Sequence, residues 1–332
     1  MSRNIFDLNA TFDTDKLFGW KGGTFYVDVA SSDSTEGGTF VPGTQWTSTI
    51  EIGGDTFQLA NVWYQQELFD GAFRAKFGKI DPTTEFGYSN ATAGYMNLGS
   101  LYPMTFLTVP TYPYSSLGGV AYVYPCENFY VGAGVFDANF TWDQFVPDDQ
   151  FDDVWAAGEA GLTFKTMGPF CDVRFAFGGW YDSSDFTHFD TGAIESAYGL
   201  YGLAEGRICS GDCTCSADDA SDDCGLWLFG QWSYADPSVI EPQLHYGGGL
   251  ALHGVCAGRE ADKLGLYVGR MHYSGSPSVG IQGQETAIEL FYAFQVTPSV
   301  TFTPDIQFLL DPGGDESVTD PIVFSMRLEL DF

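Results

Sequence analysis

Hydrophobic and polar residues alternate with a period of two along most of this chain, the spacing of a β-strand with one face in an apolar phase. The C-terminal run places Ile322, Phe324, Met326, Leu328, Leu330 and Phe332 on one face. Val323, Ser325, Arg327, Glu329 and Asp331 fall on the other. Phe25, Val27 and Val29 alternate with Tyr26 and Asp28, and Phe73, Ala75 and Phe77 with Arg74, Lys76 and Gly78. Val173, Phe175 and Phe177 alternate with Arg174, Ala176 and Gly178. Leu226, Leu228 and Trp232 oppose Phe229, Gln231 and Ser233, and Ile288, Leu290, Tyr292 and Phe294 oppose Glu285, Ala287, Glu289 and Gln295. The pattern predicts about fifteen strands. They begin near Asn4, Gly22, Thr56, Ala72, Ser116, Phe129, Val154, Phe170, Ala197, Gly225, Leu244, Lys263, Thr286, Val300 and Pro321.

A soluble protein would need helices or a second sheet to cover so many one-faced strands, and no amphipathic helical stretch of useful length accompanies them. A sheet closed on itself in lipid needs no cover, because its polar face looks into a lumen and its backbone bonds close around the ring. No repeat carries a propeller-blade signature. The connections alternate as well. Short turns such as Phe69–Gly71, Pro125–Asn128, Met167–Pro169 and Thr297–Pro298 alternate with long polar loops at Ser31–Asp55, Pro82–Ser115, Thr141–Asp152, Ser183–Ser196, Ser274–Gln284 and Asp311–Asp320. Short periplasmic turns and long external loops are the pattern of bacterial outer-membrane barrels. The reading is an all-β fold, a transmembrane antiparallel β-barrel in the outer membrane of a diderm bacterium. Bacterial barrels have an even strand count with both ends periplasmic. Fixing Phe332 at the periplasmic end therefore predicts sixteen strands, the first lying upstream of Met1 or overlooked. The start Met1–Asp7 has no basic segment followed by an apolar stretch, so the chain reads as a mature or trimmed form. Residues 1–332 form a single domain, with 209–224 as a Cys/Asp-rich insertion in a turn.

Composition narrows the partners. Against 13 Lys+Arg stand 44 Asp+Glu, a formal net charge of -31, which repels phosphate backbones and argues against nucleic acid. The same charge suits cations, neutral solutes, or a surface that holds divalent ions. No apolar run approaches the roughly 18 residues of a membrane-spanning helix. Of seven cysteines, Cys209, Cys213, Cys215 and Cys224 crowd one polar segment. Their spacings do not match the paired C-x2-C of a zinc site, and the adjacent Asp212, Asp218, Asp219, Asp222 and Asp223 favour a hard cation. Two disulfides with an optional calcium ion fit the segment best. Cys126, Cys171 and Cys256 fall near periplasmic turns, where two of them could bridge. His188, His245, His253 and His272 belong to no catalytic motif, so no enzyme is expected.

Leu59–Gln66, Phe69–Gly71, Phe77–Asp81 and Glu85-Phe86 resemble the early barrel signature of the carbohydrate-selective porins, the OprB family. The tail resembles it too, through Gln295–Pro298, Pro304–Gln307, Asp311–Gly314 and Met326–Leu328, as do Asp15–Phe25, Gly248–Leu250, Gly254, Arg259 and Asp262. The resemblance spans nearly the whole chain and implies a sixteen-stranded porin passing sugars and other small hydrophilic solutes by diffusion. Two departures stand out. Gln231 occupies a position where the family tends to place arginine, and Asn61 one where it tends to place glutamate.

A sugar path needs no catalyst. It needs a narrow wet lumen where polar groups replace part of the solute's hydration, with binding weak enough for release. Strand phase puts Asp28, Asn61, Trp63, Gln65 and Glu67 on the inner face, with Arg74 and Lys76 beside them. Glu159, Arg174, Glu205, Arg207, Gln231, Glu289, Asp305, Gln307 and Arg327 complete the lining. The aromatic and methionine-rich loop Pro82–Ser115 follows Arg74 and Lys76; folded inward, it would set a constriction with Tyr95, Met96, Tyr102 and Phe106, and the other placement is a loop packed on the outside. The alternative is a structural or adhesive outer-membrane barrel with a plugged lumen, held in a cation-bridged surface layer. Outer-membrane lipid surrounds either, and the sequence leaves monomer and homotrimer open.

Overall fold

The computed structural model describes residues 2–34, 43–50, 55–106, 108–139, 151–208, 225–255, 258–279 and 283–332. The first strands are β1 (Arg3–Asp13), β2 (Gly23–Ser34), β3 (Thr56–Leu68), β4 (Phe73–Ile80) and β5 (Ser116–Cys126). There follow β6 (Phe129–Asp137), β7 (Val154–Met167), β8 (Phe170–Thr187), β9 (Ile194–Ile208) and β10 (Gly225–Ala235). The last are β11 (Pro242–His253), β12 (Lys263–Tyr273), β13 (Gln284–Thr297), β14 (Val300–Leu310) and β15 (Ile322–Leu330). All form one sheet in sequence order, every neighbouring pair antiparallel. Each strand starts within three residues of its expected position. With fifteen strands, β1 and β15 run in the same direction, and among the described residues no ladder joins them.

Two expected loops are shorter than the hydropathy suggested. The segment from Ser31 stays in β2 as far as Ser34, with Ser31 opposite Phe57. Likewise β8 runs on to Thr187 and β9 begins at Ile194, with Phe186 opposite Glu195. Hydrophobic alternation fades once a strand rises out of lipid and both faces turn polar. The backbone ladder continues without it.

The sheet is inside-out relative to a soluble protein. Large apolar side chains stand exposed on the outer face, Phe324 at 77% and Met326 at 78%, while Asp28, Glu159, Glu205 and Glu289 are buried on the inner one. On the inner wall, aromatic rings lie flat over glycines of the neighbouring strand. A Cβ at Gly161 would stand 2.3 Å from the Tyr130 ring, and one at Gly178 2.3 Å from the Tyr201 ring. Only glycine lets both rings lie against the wall, and from there both hydroxyls reach Glu159, at 2.6 and 2.9 Å.

Cys126 is an exposed free thiol, which removes it from the candidate bridging cysteines. Cys171 is disulfide-bonded, and its partner lies outside the described residues. The calcium and disulfide candidates at 209–224 also lie outside them. Gly178→Ala should lift the Tyr201 ring off the wall at a cost of about 1–3 kcal/mol, the range for overpacking. The folded band on a heat-modifiability gel should then convert at a lower temperature than in the wild type; an unchanged midpoint would mean that the ring relaxes freely.

Candidate functional site

The segment between β4 and β5 turns into the lumen and is buried along most of its length. Phe86, Ala91, Tyr95, Met104 and Phe106 have lost essentially all their accessible surface. Short turns at Pro82–Thr84 and Asn90–Thr92 and the one-turn helix Leu98–Leu101 give it shape. Each is started by a side chain that accepts from the turn's own backbone: Asp81, Ser89 and Asn97 respectively.

Carboxylates of the barrel wall hold this loop by its backbone. Glu159 on β7 accepts from Gly87 N at 3.1 Å. Glu205 on β9 accepts from Asn90 N at 2.8 Å, Ala91 N at 3.3 Å and Ser89 Oγ at 2.6 Å. Glu289 on β13 accepts from Met96 N and, at 3.1 Å, from Asn97 N. Glu285, four residues earlier on the same face, accepts from Thr44 N at 2.9 Å and Gln45 N at 2.7 Å, and from Gly313 N at 2.7 Å. It thereby ties down parts of the first and last long loops. The first loop lies across the second, with Leu98 N donating to Trp46 O at 2.8 Å.

Wall donors take up the loop carbonyls in turn. Gln231 Nε2 and Tyr267 Oη both donate to Gly99 O, the latter at 2.7 Å. Arg327 donates to Gly94 O at 2.9 Å and lies 3.4 Å from Glu329. Asn97 Nδ2 donates to Gln307 at 3.0 Å, and Gln307 to Asp305 at 2.9 Å. Phe106 packs edge-on against Trp155, Trp180 and Tyr201, with Tyr102 beside it. Tyr95 packs edge-on against Phe291 and donates to Leu250 O at 2.6 Å. Met96 is buried next to Glu289. All four residues expected at the constriction therefore face inward.

The cations are paired. Arg74 and Lys76 share one carboxylate, Glu85 of the loop, with Arg74 at 2.5 Å. Lys76 also lies 4.2 Å from the Trp63 ring centroid, and the Arg74 guanidinium 4.6 Å from that of Tyr122. Arg174 binds Glu205 at 2.8 Å, lies 4.0 Å from Glu159 and donates to Tyr88 O. Arg207 pairs with Asp172 at 2.6 Å. Asn61 donates to Asp28 at 3.3 Å and accepts from Asp81 N at 3.2 Å, so it bridges β2 to the root of the loop.

Phase put these residues on the correct face, but their employment differs from the expected one. Glu159, Glu205 and Glu289 have their oxygens occupied by the loop. Gln65, Glu67 and Arg74 keep an open side, Gln65 lying 3.2 Å from both of its neighbours. Next to them Tyr26 and Trp63 stack, centroids 4.9 Å apart and planes at 22°. Sequence reading missed Glu85, Glu285, Gln45, Tyr122, Tyr130, Tyr201 and Tyr267 as site residues. The strand members among them carry the inner-face phase that could have found them. Glu85 and Gln45 lie in loops and carry no such signal.

An antiparallel sheet with apolar residues outside, charges inside and a constricting loop in its lumen defines an outer-membrane β-barrel porin, a channel and not an enzyme. The chain belongs to the carbohydrate-selective porin family, OprB, whose pattern matches residues 3–332. It is 21% identical to Porin B of Pseudomonas aeruginosa, over 98% of this chain and 81% of that protein. The high-pH structure of Pseudomonas putida OprB superposes with a TM-score of 0.84 at 19% identity, covering 99% of this chain and 88% of that one. The low-pH structure gives 0.61 at 20% identity, covering 98% and 84%.

Asp81 roots the loop just past the end of β4, and burial pushes its carboxyl up to about 6 although the Thr83 amide and hydroxyl donate to it. A raised acid stabilises the seated state most below the ordinary aspartate range and withdraws that contribution as pH rises through about 6. Protease cleavage within 82–115 should accelerate over that interval in the wild type and stay level in Asp81→Asn; parallel profiles would clear Asp81 of the role. Glu205→Ala strands the Asn90 amide at about 1–3 kcal/mol and takes the nearest carboxylate from the Arg174 guanidinium. Its channels should be noisier and more conductive than wild type in planar bilayers, with Glu205→Gln between the two. Traces identical to wild type would show that Glu205 does not hold the loop.

Proposed function

We propose that small hydrophilic solutes, sugars among them, cross along the β2–β4 side of the lumen, past Tyr26, Trp63, Gln65, Glu67 and Arg74. One observation carries this: Glu159, Glu205 and Glu289 on the rest of the wall are occupied by loop backbone, whereas Gln65, Glu67 and Arg74 retain open faces beside an aromatic pair. The stacked rings offer the sugar an apolar surface to slide on, and the amide, carboxylate and guanidinium replace part of its water. Each contact is single and half-solvated, which suits a channel that must release what it binds. Outer-membrane lipid contacts the exposed apolar ring. The arrangement is compatible with a monomer and with a homotrimer. For 209–224, two disulfides with a bound calcium ion remain our reading from the sequence.

The depth at which the loop is seated favours a second reading, a plugged barrel with a structural role. Planar bilayers separate the two. Wild-type protein should give discrete conductance steps whose reversal potential in a salt gradient favours cations, following the net charge of -31. In liposome swelling, Trp63→Ala should slow sugar entry several-fold and leave glycine entry unchanged. Absence of steps would establish the plug, and equal sugar rates in the variant would move the path off β3.

A further inference from the structure

Inner and outer rows alternate cleanly along β12: Tyr267, Met271 and Tyr273 are buried inside, Leu266 and Val268 exposed outside. Arg270 and His272 continue the outer row, on the lipid-facing surface three residues or fewer from the strand's extracellular end. A cation facing lipid is costly near the bilayer midplane and tolerated at headgroup level. The neighbours mark that level. Tyr246 stands opposite Arg270 on β11, and Trp232 opposite Tyr246 on β10, both exposed aromatics of the kind that gather at the membrane interface. Tyr246 Oη lies 3.3 Å from His272 Nε2, their rings 5.7 Å apart.

Arg270 differs from the arginines that line the barrel. Arg74, Arg174, Arg207, Arg259 and Arg327 each hold a carboxylate within 3.4 Å. Arg270 donates its Nε to Thr286 Oγ1 at 3.0 Å, and among the described residues no carboxylate pairs with it. The Thr286 contact fixes the guanidinium plane against the sheet and leaves both terminal nitrogens for an acceptor outside.

We propose that Arg270 and His272, framed by Tyr246 and Thr286, bind the phosphate of an outer-leaflet lipid. A guanidinium edge pairs with two phosphate oxygens at once, and the hydrogen-bonded imidazole and phenol supply one further donor between them. The acyl chains then lie along the Leu266, Val268 and Leu290 surface below. The lipid is defined by its chemistry, an amphiphile whose anionic phosphate carries no cationic headgroup to neutralise it.

Purified barrels in an uncharged detergent would be titrated with dioleoyl phosphatidic acid or dioleoyl phosphatidylcholine and bound lipid counted by native mass spectrometry. Wild type should prefer the phosphatidic acid by about fivefold or more, the scale expected for one cationic group at a lipid surface. Arg270→Gln should lose most of that preference, Arg270→Lys keep only part of it, and His272→Gln reduce it. Should Arg270→Gln fail to assemble, Thr286→Val reads the same geometry: losing the Nε contact should weaken the preference. Millimolar inorganic phosphate should not compete. Equal binding of both lipids by wild type overturns the proposal, as does a preference unchanged in every variant. Competition by free phosphate would make this a soluble-anion site, and a change in oligomeric state in Arg270→Gln would make it a protein interface; either result overturns it too.

Discussion

Capture of loop amides by carboxylates on the barrel wall is the interaction on which the interior depends. A loop folded into a lumen takes its backbone N–H and C=O groups away from bulk water, and each must find a partner or cost about 1–3 kcal/mol. Glu159, Glu205, Glu289 and Glu285 supply acceptors at successive stations around the wall, and each bond to an ionised acceptor is stronger than one between neutral groups. Gln231, Tyr267 and Arg327 return donors to the loop carbonyls. The same bonds that satisfy the loop also determine where it lies, and so which part of the lumen stays open.

This arrangement also explains how so acidic a chain tolerates charges inside a membrane. The lumen cations are met within the fold: Glu85 comes down on the loop to Arg74 and Lys76, and Glu205 holds Arg174 while it holds the loop. Replacing one of these partners with an apolar residue would strand a charge, which is why each pair is a point of vulnerability as well as of order. The lipid-facing rows are apolar and aromatic, and the guanidinium of Arg270 stands out against them because its carboxylate is missing.

Aromatic and glycine residues of the inner wall orient its acceptors. Tyr130 and Tyr201 lie against the wall because Gly161 and Gly178 leave room, and this places both hydroxyls on Glu159. The acceptor that receives the loop at Gly87 is thereby held in place. On the opposite wall Tyr267 reaches Gly99 O, so the loop is gripped from both sides.

Period-two alternation was enough to determine the strand starts and the inner face of Arg74, Glu159, Arg174 and Glu289. These are local properties: a strand's phase follows from its own residues, and lipid on one side enforces it over the whole span. The sequence alone could not say that Glu159, Glu205 and Glu289 serve the loop, that Glu85 neutralises two cations, or that β8 continues to Thr187. Each of those depends on which atoms meet across long stretches of chain, such as Glu205 with Asn90 or Glu289 with Asn97. A carboxylate on an inner face reads the same whether water, a sugar or an amide will fill it; only the path of the folded loop decides among them.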